Sequence, residues 1–133
     1  MKSNPKIGTT GEEQFVVGAE HVIDFARDGM PEVLSTPYLI RHLERAARLS
    51  LLPFLEEGEA SVGAEIEIQH LAPTPRGQTI LCRARVVGTD GTEVSFQIEA
   101  RDEHELIAKG FHKRRVIRKD RFAAKVQKKN RGA

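Results

Sequence analysis

The chain changes its hydrophobic period once, and that change separates a helical part from a sheet. Between Ser35 and Leu51, apolar or small residues recur at Leu39, Leu43, Ala46, Ala47, Ser50 and Leu51. This three-and-four spacing puts them on one face of an α-helix, while Arg41, Arg45 and Arg48 fall on a different face. Ser35-Thr36-Pro37 has the form of a helix start: a hydroxyl residue is available to cap, and proline loses nothing in a first turn whose N–H groups are unpaired anyway. Pro53 and Gly58 close the element. From Ala60 the period becomes two. Ala64, Ile66, Ile68 and His70 alternate with Glu65, Glu67 and Gln69. The same alternation runs through Gln78–Val87, through Val94–Ala100 and through Leu106–Ile117. Asp90-Gly91 predicts a two-residue hairpin turn, and Gly110 marks a bulge or a close contact. Glu13–Val17 reads as a first short strand. Gly18–Leu34, broken at Gly29-Met30-Pro31, reads as a loop with one helical turn.

The predicted order is strand, long helix, then four consecutive antiparallel strands, an α+β arrangement. A sheet with one apolar face must cover it, and one apolar helix is available. The sheet is therefore expected to curl around that helix, which is the hotdog architecture. The small residues Ala46, Ala47 and Ser50 let the helix sit close. A single copy leaves sheet edges and part of the helix open, so the expected state is a homodimer, with pairing of dimers into a tetramer left open. Residues 1–124 form the one domain, and 125–133 a basic C-terminal tail.

Composition adds limits. The length of 133 residues suits one core, and 39% hydrophobic with 30% charged content suits a globular chain. No apolar run approaches the ~20 residues of a membrane span, and Met1–Gly11 lacks the apolar stretch of a secretory signal. A single cysteine, Cys82, excludes an internal disulfide and a Cys-cluster metal site. Cytoplasmic placement is the expectation. The net charge of +2 hides an asymmetry: residues 1–108 sum to −8 and residues 109–133 to +10. Such a basic end attracts phosphates. Its scarcity of aromatics argues against a nucleic-acid partner, and Lys125–Ala133 reads as a solvated, partly disordered tail.

Three residues stand out chemically. Thr36 lies at a helix N-terminus, where free N–H groups and the dipole favour a developing oxyanion; the plain alternative is a capping residue. Glu44 lies beside the apolar stripe, where a carboxylate is costly unless paired or used; the alternative is a salt bridge to Arg41 or Arg48. His70 shares a strand face with Ala64, Ile66 and Ile68; it serves either as a proton carrier or as a core histidine. His21, His42, His104 and His112 show no metal-ligand spacing. No GxSxG, P-loop or GxGxxG occurs, and Cys82 has no special context. Carboxylate-based hydrolysis or lyase chemistry is what this leaves. Eight helical residues span about 12 Å, too far for Thr36 and Glu44 of one chain to flank one reacting carbon. A site shared between two subunits follows as the hypothesis.

In this order, Thr36 with Glu44 eight residues later, PFLEEGEASVG at Pro53–Gly63, QHLAPTPRG at Gln69–Gly77, GFHKRRVI at Gly110–Ile117 and FAAKVQKK at Phe122–Lys129 resemble the fluoroacetyl-CoA thioesterase family of hotdog enzymes. The resemblance runs from about Gln14 onward. It implies hydrolysis of acyl-CoA thioesters by a dimer, with Thr36, Glu44 and His70 catalytic and Gly63 and Arg114 in contact with substrate. No metal is expected, and no cofactor beyond the CoA carried by the substrate. Lys113, Arg114 and Arg115 are candidates to hold the CoA phosphates. Gly18–Leu34 departs from the family's lid region: it is shorter, and among the aromatics expected there it offers Phe25. The competing reading is a non-catalytic hotdog module that binds acyl-CoA or another small ligand.

Overall fold

In the computed structural model, which describes residues 1–25 and 28–132, the helical period becomes α1 (Thr36–Leu51). Strand β1 (Thr10–Val16) precedes it. The alternating runs become β2 (Glu59–His70), β3 (Thr79–Asp90), β4 (Glu93–Arg101) and β5 (Leu106–Arg118), and helix α2 (Lys119–Asn130) follows. All strand pairs are antiparallel, in the order β1-β3-β4-β5-β2. The sheet curls around α1 as the hotdog pattern requires. Leu39, Leu43, Ala46, Ala47 and Leu51 of the helix are completely buried against Ile80, Ala84, Phe96, Ile98 and their neighbours. In the loop after β1, Ala19–His21 forms a single 3-10 turn; Ala26 and Arg27, which the loop reading also covers, lie outside the described residues, as does Ala133.

Close helix–sheet contact has a partner on β1 that the period did not reveal. A Cβ placed on Gly11 would strike the Ala46 carbonyl and come within 2.8 Å of Ser50 Cβ and 2.9 Å of Ser50 N. Gly11→Ala is therefore expected to destabilise the fold by about 1–3 kcal/mol through overpacking, seen as a lowered denaturation midpoint with an unchanged m value.

The local details refine the sequence pattern. The hairpin turn is Gly91-Thr92, because Asp90 still pairs with Glu93; Gly91 takes φ +61° at the first central position, where a II′ turn wants glycine. The register shifts in β2 between Gly63 and Glu65, in β3 between Val86 and Gly88, and between β4 and β5 at Ala100/Arg101, not at Gly110. Gly110 is the close contact, since a side chain there would run into the Glu67 backbone. The β2 face bearing Ala64, Ile66, Ile68 and His70 is covered only in part. Ala64 is exposed and Ile66 is 36% exposed, because α1 leans toward the β1 side of the sheet. The basic segment is solvated, with every residue of α2 exposed. It is also helical, so the boundary drawn after residue 124 falls inside α2. Asp120 in its first turn and Lys128 and Lys129 in its last suit the helix dipole.

Candidate active site

Thr36 is not the helix cap. Ser35 holds that position with extended backbone, and Thr36 is the first helical residue. Its hydroxyl is thus free of capping and lies 2.8 Å from His70 Nδ1. The pairing is made by topology: β2 ends at His70, beside the start of α1. Burial holds the His70 ring below its ordinary value, with the nearby Ala72 backbone pulling the other way, so the ring is neutral at pH 7. Its Nε2 is buried without a hydrogen-bond partner. A neutral imidazole accepting at Nδ1 lets the Thr36 O–H donate to it, the geometry of a polarised hydroxyl at a helix N-terminus. The pair lies in a cavity of about 340 Å³ whose other walls are Ile23, Val33, Leu34, Leu71, Ala72 and Pro73.

Glu44 sits two turns further along α1, in different surroundings. Neither Arg41 nor Arg48 pairs with it. The Glu44 carboxylate instead faces the inner surface of the sheet, with Oε2 3.7 Å from Arg114 Nη1. It lies so close to β2 that a Cβ on Gly63 would be 2.6 Å from Oε2. Arg114 is a buried cation, 5% exposed. Its Nε and Nη2 donate to the Ser61 hydroxyl and carbonyl, both at 2.9 Å, and its Nη1 lies 3.2 Å from His112 Nε2. Arg114, Glu44, Ile40, Arg41 and Arg48 line a depression of about 260 Å³.

One chain therefore assembles two groups, Thr36 with His70 and Glu44 with Gly63 and Arg114. Lys113, Arg114 and Arg115 do not form one phosphate cradle, because successive strand residues face opposite ways. Lys113 and Arg115 point outward and pair with Glu65 and Glu93, while Arg114 points in. His42 is taken up elsewhere, stacked on Phe15 at 3.7 Å and donating to Glu13 at 2.9 Å. The Cys82 thiol is pushed up to about 12 by burial and by Glu13, which removes it as a nucleophile.

His112 and Ser61 are members of the Glu44 group that motif reading passed over. A signal was present: on β5 the buried alternation Ala108, His112, Arg114, Val116 places two polar side chains on an inner face. Burial first, and Arg114 second, hold His112 below its ordinary value. Both His70 and His112 thus fold as neutral rings with lowered pKa. At pH below their ordinary value of about 6.5 the unfolded chain binds protons that the folded chain does not. Stability is therefore expected to be full above pH 6.5 and to fall as pH drops below it, before most carboxylates titrate. Denaturant titrations at pH 7.5 and 5.5 check this; equal stabilities at the two values would contradict it.

A curled antiparallel sheet around one long helix is the hotdog fold, and it is shared with thioesterases. Solved structures of that class match it over nearly the whole chain. A thioesterase superfamily member from Thermus thermophilus has a TM-score of 0.90 at 31% identity, covering 98% of this chain and 96% of its own. The fluoroacetyl-CoA thioesterase structure has a TM-score of 0.88 at 30% identity, covering 96% and 98%. The model of the fluoroacetyl-CoA-specific thioesterase family matches residues 17–120. The fluoroacetyl-CoA thioesterase of Streptantibioticus cattleyicolor is 32% identical over 137 aligned positions, covering 97% of each chain. The chain belongs to the fluoroacetyl-CoA-specific thioesterase family, and it is a thioesterase.

Proposed function

We propose that the protein hydrolyses an acyl-CoA thioester to the free acid and CoA, at sites built across a homodimer. The observation that carries this reading is the division of the candidate residues along β2. Thr36 and His70 gather at one end of the strand, and Glu44 lies against Gly63 nearer its start. β2 is an edge strand with an unpaired side, and Ile66 lies open on its inner face. Antiparallel pairing of two β2 strands that sets His70 opposite Gly63 of the partner subunit brings Thr36 and His70 of one chain to Glu44 of the other. It also closes the β2 edge of each subunit.

In this site the α1 N-terminus and the Thr36 hydroxyl polarise the thioester carbonyl. Glu44 either activates water or attacks the carbonyl itself, and His70 carries or orients the proton released. Gly63 keeps the space beside Glu44 open to substrate, and Arg114 holds the carboxylate. CoA enters as part of the substrate, and no other cofactor takes part. A lone, buried Cys82 suits the reducing cytoplasm. No helix among the described residues is long and apolar enough to cross a membrane. The test is thiol release over a panel of acyl-CoAs, fluoroacetyl-CoA included. CoA release by the wild type and none by Glu44→Ala supports the reading. Retention of acyl-CoA without release would favour the binding module instead.

A further inference from the structure

We infer that His112 is a positioning residue for hydrolysis: a neutral imidazole that fastens Arg114 against Glu44. The inference rests on the reading of Glu44 as the reacting carboxylate. Each hydrogen bond around the ring fixes the next. His112 Nδ1 lies 2.8 Å from the Glu65 backbone carbonyl, which can only accept, so Nδ1 carries the proton. In a neutral ring Nε2 is then a bare acceptor, and Arg114 Nη1 donates to it at 3.2 Å. The other edge of the guanidinium is closed by Ser61, which accepts from Nε and Nη2. His112 is 2% exposed and stacks on Phe96, so the ring has no freedom to turn.

What remains of Arg114 is the charge on the side of Nη1, aimed at Glu44 Oε2. A guanidinium held at two points by groups that cannot move is a fixed counter-charge. It holds the carboxylate in one place against Gly63, where a side chain on β2 would displace it. The bulge between Gly63 and Glu65 belongs to the same device, because the Glu65 carbonyl that accepts the His112 Nδ1–H hydrogen bond follows immediately after it. The opposite tautomer would present two N–H groups to each other at Arg114 and set a bare Nδ1 lone pair against the Glu65 carbonyl oxygen. The arrangement therefore selects one ring state. His112 touches no reacting atom and acts through Arg114.

The experiment compares three variants in the full chain. His112→Phe keeps a ring against Phe96 but removes both bonds. His112→Gln offers one amide donor and one acceptor and is expected to replace them. Ser61→Ala loosens the opposite edge of Arg114 with little change in volume. His112→Phe is expected to lower kcat about 10- to 100-fold, the scale of an ångström-size misplacement, with KM within about threefold of wild type. His112→Gln is expected to stay within about threefold in both, and Ser61→Ala to lower kcat in the same direction as His112→Phe. A folded His112→Phe with wild-type kcat would overturn the inference, as would His112→Gln falling as far as His112→Phe. Should His112→Phe fail to fold, wild-type kcat in Ser61→Ala would overturn it. Imidazole 15N spectra of the wild type near pH 7.5 give a reading independent of activity: protonated Nδ1 and bare Nε2 support the inference, and any other ring state overturns it. If no acyl-CoA is hydrolysed, the functional reading falls, while these spectra still decide the ring state on which the inference depends.

Discussion

Glu44→Ala and His70→Ala are each expected to lower turnover at least about 100-fold, the usual scale for removal of an acid–base group. The expectation is specific because neither change should unfold the chain. Glu44→Ala removes the counter-charge of the buried Arg114, and the Arg114 bonds to Ser61 and His112 remain to limit that cost. Glu44 is itself partly open to solvent, and its removal leaves no sealed cavity. His70 ends an edge strand and contacts α1 through Thr36. Steady-state thiol release, alongside a denaturation curve for each variant, checks both statements. Near-normal turnover in both variants would remove the proposed site.

Mixing the two inactive variants is expected to restore activity, to about a quarter of the wild-type value. In a shared site, a mixed dimer joins an intact Thr36–His70 group from one chain to an intact Glu44 from the other. Its second site lacks both. Random exchange makes half the dimers mixed, each with one good site of two. Were each site contained within one chain, every site in a mixed dimer would lack one group and no recovery would follow. Activity measured after the two proteins are dissociated and reassociated together decides between these geometries, and each variant treated alone supplies the baseline. The result depends on position rather than on chemistry, so it stands apart from whether Glu44 attacks the carbonyl or activates water.

Helix α1 and the sheet were legible because their signals are local and periodic. Leu39, Leu43, Ala46 and Ala47 repeat at the pitch of a helix, and Ile80 to Val86 and Val94 to Ala100 at the pitch of a strand; all are buried where those periods put them. The hotdog architecture followed, since one apolar helix and one apolar sheet face have only each other to cover. Thr36 stood out by its place at the helix start and Glu44 and His70 as polar residues beside an apolar pattern, while the resemblance supplied their expected catalytic roles. The helical segment after Arg118 was not legible, because α2 buries nothing and so leaves no apolar stripe to read.

By itself, then, the sequence determined α1 and the strands, the inner faces of α1, β3 and β4, and which side chains would be costly to bury without a use. The tertiary structure decided who meets whom. His70 reaches Thr36 across 34 residues of chain, and Ser61 reaches Arg114 across 53; no periodicity encodes contacts at such separations. They depend on strand register, and for His70 on the bulge after Gly63. The bulge shifts every later side chain of β2 by one place and so sets which residue of β2 stands beside Glu44 and which beside Thr36. The distance between Thr36 and Glu44 follows already from the rise of the helix; the register adds which β2 residues join each of them.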